Sequence, residues 1–336
     1  MSFNGRVSVG KLLDGRRLET AKQIENLRTI LREAGKRCGR NECVYVTGSY
    51  GRGEASPHSD LDLFILGKGT HEKPSLSRLD EILVKADLIN ATKKLQLPKF
   101  SGDGQYLVGH TVTELVETLG EPEDDVENTF TARLLLLLES FPLIGRPAYD
   151  QITGKVIEAY WRDYKGHESN FMPAFLANDI LRMWRTFCVN YEARTRKEPE
   201  REAAKRRLKN YKLKHSRLLT CYSALLYLLT VYGKNKTVSP NDAQKMISLS
   251  PTARLEWLIA QPELSSARPS LRKLIERYEE FLSKTDAAEE DLLSRFMDKK
   301  QREEYRASAS QFGDLVYTVM NVIGKKCFEF HRLLVV

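Results

Sequence analysis

Residues 43–66 restrict the fold more than any other stretch of this 336-residue chain. Two apolar runs, CVYVT (43–47) and LDLFIL (61–66), flank a polar, glycine-rich segment, and each run has the length and composition of a short strand. Residues two apart in a strand share a face, so Asp60 and Asp62 project together while Leu61 and Leu63 turn into a core. Gly48, Gly51 and Gly53 read G-x-x-G-x-G. A dinucleotide fingerprint requires G-x-G-x-x-G between a strand and a helix, and here Pro57 and Ser59 interrupt the stretch where that helix would run. A phosphate loop ending in Gly-Lys-Ser/Thr is excluded too, because no lysine lies between Cys43 and Gly67.

The remaining reading joins the glycines to the aspartates. Two carboxylates on one rigid face can bridge a pair of divalent cations about 3.5 to 4 Å apart, the arrangement that serves in-line displacement at phosphorus. Magnesium, or manganese in its place, suits such oxygen ligands and shares them with substrate phosphates. Gly48-Ser49, at the end of the preceding strand, offers backbone N–H groups and a hydroxyl with no bulky side chain, so a triphosphate can lie close. Asp60 and Asp62 are therefore the candidate metal ligands, Gly48 and Ser49 the candidate phosphate-binding pair, and Arg52 a candidate for neutralising the triphosphate. The structural alternatives are an acidic turn before a strand, an ordinary strand-ending turn and a surface arginine.

Small residues after an apolar strand, eleven positions of spacing, then Asp-apolar-Asp-apolar resemble the signature of the DNA polymerase β nucleotidyltransferase superfamily. GSYGRGE followed by SDLDL is similar to the catalytic domain of bacterial PII uridylyltransferases, as are DGQYLVGH (103–110) and ENTFTARLLLLLESFPLIG (127–145). The resemblance covers roughly residues 40–145. It implies two Mg2+ ions, ATP or another NTP as substrate, and a third carboxylate from a neighbouring strand that also receives the proton of the attacking hydroxyl. Asp103 stands at the suggested position, with a Gly-Asp-Gly turn as its alternative. Glu54 and Ser59 are expected to tether the loop, and His110 to pack near a strand end. The regulatory domains of the uridylyltransferases have no counterpart in this chain. Stand-alone enzymes of this appearance imply a setting in bacterial defence or toxin systems.

Around this segment the periodicities alternate between strand and helix. Residues 17–35 form an amphipathic stripe of Leu18, Ala21, Ile24, Leu27, Ile30, Leu31 and Ala34, closed by Gly35, and residues 75–97 predict a second helix. A third strand is expected within 101–112. Beyond Glu114 the pattern is helical, with breaks near 142–147, 165–173, 233–240 and 261–269. The expected fold is α+β: a small mixed-sheet nucleotidyltransferase core with flanking helices and an N-terminal helix in residues 1–145, then an all-α acceptor-binding domain in 146–336. The apolar stretches 134–138 and 218–232 are shorter than the roughly 18 to 20 residues a bilayer requires and predict buried helices. The N-terminus lacks the apolar run of a secretory signal, and five scattered cysteines predict reduced thiols, which together suggest a cytoplasmic protein with no membrane partner.

Of the net charge of +8, residues 192–217 carry +7, from eleven Lys or Arg against four Glu. Arg201, Lys205, Arg206, Arg207, Lys209, Lys212 and Lys214, with Tyr211 and His215 interleaved, suit a phosphate backbone and an occasional stacked base. A solvated charged helix has the same pattern. The leading expectation is transfer of a nucleoside monophosphate to a nucleic-acid hydroxyl, such as an RNA or tRNA 3′ end or a growing oligonucleotide. The alternatives are a protein side-chain hydroxyl, a small-molecule acceptor that leaves the basic segment unused, and a non-catalytic nucleic-acid-binding or partner-neutralising protein.

Overall fold

The computed structural model describes residues 10–70, 72–73, 75–100, 107–192 and 199–335. These form two compact units, Asp14–Asp163 and Tyr164–Val336, the residues up to Leu13 belonging to the second.

The first unit is built on a four-stranded mixed sheet of order β3-β2-β1-β4. β1 (Glu42–Val46) runs antiparallel to β2 (Leu63–Gly67) and to β4 (Phe141–Ile144). β3 (Gly109–Thr111) lies parallel to β2 across a crossover that contains helix α4 (Arg78–Lys94). Val44, Val46, Leu61, Leu63 and Ile65 face one layer of helices and pack with Ile24 and Leu27 of α1 (Lys11–Ile30), Ala34 of α2 (Arg32–Cys38) and Val84, Leu88 and Ala91 of α4. On the opposite face Tyr45 stacks on Phe64, with ring centroids 5.4 Å apart, and meets Tyr149 of α8 (Arg146–Tyr160). The Tyr45 hydroxyl donates to the carbonyl of Ala132 in α7 (Thr129–Glu139). The short helices α3 (Gly48–Arg52), α5 (Val112–Glu117) and α6 (Glu123–Val126) fill the connections.

Several local expectations change. The N-terminal helix starts at Lys11 and α2 continues through Gly35 to Cys38; Leu18, placed on the buried stripe, is 59% exposed. The proline-bearing stretch at 142, expected as a break, is the edge strand β4. Proline lacks an N–H and is tolerated at a sheet edge. Arg28 of α1 supplies donors there instead, its guanidinium bonding the carbonyls of Pro142 at 2.7 Å and Leu143 at 3.2 Å. α8 packs on β1, so the boundary between the units falls between Asp163 and Tyr164 rather than at residue 145.

The second unit is helical, from α9 (Ala174–Glu192) and α10 (Glu200–Lys212), through α11 (Leu218–Asn235), α12 (Pro240–Ile247), α13 (Pro251–Ala260), α14 (Arg268–Lys284) and α15 (Glu289–Met297), to α16 (Lys299–Gly324) and α17 (Phe328–Leu333). Nearly all of residues 218–232 are buried, as their composition predicted. No helix among the described residues is long and apolar enough to cross a membrane, and all five cysteines are free.

Five residues wound as a π-helix, Leu213–Arg217, join α10 to α11 and turn His215 inward. Its ring is 1% exposed, stacks on Phe281 with centroids 4.6 Å apart, and donates from Nδ1 to the carbonyl of Tyr211. Nε2 is buried without a partner. Burial drops this imidazole to about 4; the bond to Tyr211 opposes the drop and nearby Lys284 adds to it. Because the folded state binds the proton less readily than the unfolded chain, the histidine's contribution is fully present above about pH 6.5 and is lost as pH falls towards 4. Between pH 7 and 5 the urea stability of the helical unit is expected to fall by about 2 kcal/mol more in the native protein than in His215→Phe. Equal slopes in the two proteins would contradict this assignment.

Candidate active site

The end of β1 and the approach to β2 build the site. The sheet pairing extends past its last regular pair, the Thr47 N–H bonding the carbonyl of Asp62 at 2.9 Å. Leu61 and Leu63 are buried, Asp60 is exposed and Asp62 half-buried, the alternation that strand geometry predicts. Gly48 follows Thr47 with φ of +62°, a left-handed conformation that costs glycine little. A Cβ there would lie 2.6 Å from Asp62 Oδ2, so the absent side chain leaves the space beside that carboxylate.

The polar segment between the strands is held from both ends. Gly53 closes α3 in a left-handed conformation, and the Glu54 N–H returns to the Ser49 carbonyl at 2.8 Å. The Ala55 N–H donates to Thr20 Oγ1 of α1 at 2.9 Å, while Arg16 Nη1 donates to the Ala55 carbonyl at 3.1 Å. The Ser56 N–H donates to Ser59 Oγ at 2.9 Å, forming the turn that delivers Asp60. The expected tethering by Glu54 and Ser59 matches these contacts, Glu54 being buried against Arg52.

Two phosphate-binding expectations change. Arg52 points away from solvent: its side chain is 9% exposed, Nη1 pairs with Glu139 Oε2 at 3.0 Å and Nε with Glu54 Oε1. The Gly48 N–H likewise donates to Glu139 Oε1 at 3.1 Å and is committed to that carboxylate. Ser49 remains half-exposed beside them. Glu139, the last residue of α7, went unrecognised in the sequence. Its one visible signal is a lone carboxylate ending the run ARLLLLLE.

Tyr50 is buried in the helix-facing core below the site. Burial first, then the charge of Asp60, pushes its hydroxyl up to about 12. His110 of β3 packs against Phe64, with ring centroids 6.3 Å apart, and burial lowers its pKa, against the opposing charges of Glu114 and Glu127. This is the packing role expected of it. Asp103, the candidate third carboxylate, lies outside the described residues. Among the described residues no group of three or more His, Cys, Asp or Glu side chains forms a metal cluster. Asp60 and Asp62 are oxygen donors of the kind magnesium takes, with Gly48 close beside Asp62, and in chemistry they fit that ion.

Residues 24–115 match the family model of the nucleotidyltransferase domain. That span carries β1, the whole glycine and aspartate segment, β2 and β3, and it ends before α7 and β4. No curated protein matches the chain. The family match supports nucleotidyl transfer in general and does not extend to the PII uridylyltransferases in particular.

The basic residues belong to the other unit. Arg201 pairs with Glu290 at 2.5 Å and Lys205 with Glu289 at 3.4 Å, both on α15, and Arg207 pairs with Glu200 at 2.6 Å. Arg206 lies over the Tyr191 ring at 5.5 Å. Lys209, Lys212 and Lys214 are exposed. Tyr211 and His215, expected between the bases as stacking platforms, are instead 3% and 1% exposed in a cluster with Phe281, Phe296, Tyr305 and Phe312. Tyr211 lies on the buried side of α10, and the π-helical turn that follows carries His215 into the same cluster.

Proposed function

We propose that this protein is a metal-dependent nucleotidyltransferase that moves a nucleoside monophosphate from an NTP to a hydroxyl of a nucleic acid. The observation that carries the reading is the apposition of Asp62 to the backbone of Gly48, with the exposed Asp60 two residues before it. Asp60 and Asp62 would hold divalent cations, Mg2+ or Mn2+, which when bound neutralise charge on the phosphates and polarise the reacting phosphoryl group. Asp103 is our candidate for a third ligand and for the group that receives the acceptor proton. Ser49, half-exposed next to Gly48, is assigned to the triphosphate. The acceptor oxygen attacks the α-phosphorus as the bond to the bridging oxygen breaks, pyrophosphate leaves, and the acceptor proton passes to a carboxylate. Such transfer is chiefly positioning and charge neutralisation.

The nucleic-acid acceptor rests on the basic residues of the helical unit, among which Lys209, Lys212 and Lys214 are exposed. The second reading keeps the transfer and makes a protein side-chain hydroxyl the acceptor. Purified protein incubated with each α-labelled NTP or dNTP, with and without cellular RNA, separates the two. Nuclease-sensitive label, reduced about tenfold or more in Lys209→Glu/Lys214→Glu by loss of phosphate contacts, is the expected result. Label that resists nuclease and yields to protease would move the acceptor to protein, and no label with any acceptor would remove the enzymatic reading.

A further inference from the structure

We infer that Glu139 is a positioning residue of the nucleotide site, acting through the amide of Gly48; its catalytic meaning rests on the transferase reading above. Glu139 is 3% exposed and sits at the C-terminal end of α7, outside the family match. A carboxylate is poorly placed there, since the helix dipole presents negative charge at that end and burial strips its water. The five preceding residues are leucines, and another leucine would continue the packing without burying a charge.

What the carboxylate does is visible in its partners. Oε1 receives the Gly48 N–H and Oε2 receives Arg52 Nη1, so one side chain grips both the first and last residues of α3. Arg52 passes the constraint to Glu54, where the loop towards Asp60 begins. The contact is close: a Cβ on Gly51 would collide with the backbone carbonyls of Glu139 and Val46, so α3 packs directly against the end of α7. The Gly48 peptide held by Oε1 is also the one whose left-handed conformation leaves space beside Asp62. Glu139 thus sets where the Gly48-Ser49 turn stands relative to the Asp62 carboxylate. A misplacement of about 1 Å between such groups costs on the order of 10²-fold in rate.

The test compares Glu139→Leu, which removes the acceptor of the Gly48 N–H, with Glu139→Gln, which keeps an oxygen at Oε1. Hydrogen exchange at the Gly48 amide, followed by NMR without nucleotide, is expected to accelerate about tenfold or more in the leucine variant and to stay near native in the glutamine variant. kcat/KM for the NTP is expected to fall about 10²-fold in Glu139→Leu and by less than about tenfold in Glu139→Gln, with the KM for the acceptor unchanged in both. A folded Glu139→Leu with native exchange at Gly48 or native kcat/KM overturns the inference. Should the leucine variant fail to fold, a folded glutamine variant that loses protection at Gly48 or loses 10²-fold in kcat/KM overturns it equally. If the native protein transfers no nucleotide, the transferase reading fails, while the exchange comparison still decides whether Glu139 holds Gly48.

Discussion

Asp60→Asn/Asp62→Asn is expected to lose label transfer from any α-labelled NTP by at least about 10³-fold while folding and melting as the native protein does. Both substitutions keep side-chain size and remove the negative charges that would hold the cations. Asp60 is exposed and Asp62 half-buried, whereas the adjoining Leu61 and Leu63 carry the packing of this segment, so the sheet has little reason to respond. Pyrophosphate release and acceptor labelling should vanish together, because one displacement produces both. A double variant that still transfers nucleotide would refute the site, whatever the acceptor proves to be.

The largest expected effect on stability lies elsewhere in the same unit. Arg133 and Asp124 are both fully buried and form a paired contact, with Nη1 to Oδ1 at 2.9 Å beside Nη2 to Oδ2. Arg133 Nη1 also reaches the Leu115 carbonyl and Nε the Tyr160 hydroxyl, each at 3.0 Å, and Thr129 Oγ1 adds a bond to Asp124 at 2.8 Å. One arginine therefore ties α5, α6, α7 and α8 together. Arg133→Met leaves the Asp124 charge buried without its cation and is expected to destabilise the unit by about 3 to 5 kcal/mol. Arg133→Met/Asp124→Leu removes both charges and should recover most of that loss. Urea midpoints of the two variants would test this; a single variant within about 1 kcal/mol of native would show that the pair matters little. Since Glu139 ends α7, loosening this anchor should also weaken its hold on Gly48.

Local pattern made much of this readable from the chain alone. The alternation of Asp60, Leu61, Asp62 and Leu63 predicts a two-faced segment without reference to the rest of the chain, and Leu61 and Leu63 are buried while Asp60 is exposed and Asp62 half-buried, although the regular strand begins only at Leu63. Gly48 was legible only as a residue with no side chain; its φ of +62° and the engagement of its N–H by Glu139 came from the structure. β4 was not, because a proline-bearing run becomes a strand only when another element, here Arg28, satisfies its edge. Arg52 was misread towards solvent: nothing near residue 52 reveals that a carboxylate 87 positions later waits for it. Tyr211 and His215 were misread because composition counts residues and does not say which side of α10, or of the π-helical turn after it, meets Phe281.

The sequence by itself determined the two short strands, the burial of the leucines that flank the aspartates and the helical second half. These arise from steric and periodic rules that act over a few neighbouring residues. Tertiary structure alone decided which charges are available to a ligand. It buried Arg52 against Glu54 and Glu139, paired Arg201, Lys205 and Arg207 with carboxylates, and placed Glu139 on the Gly48 amide. A charge is neutralised by whatever lies within a few ångströms of it in space, and separation along the chain carries no information about that.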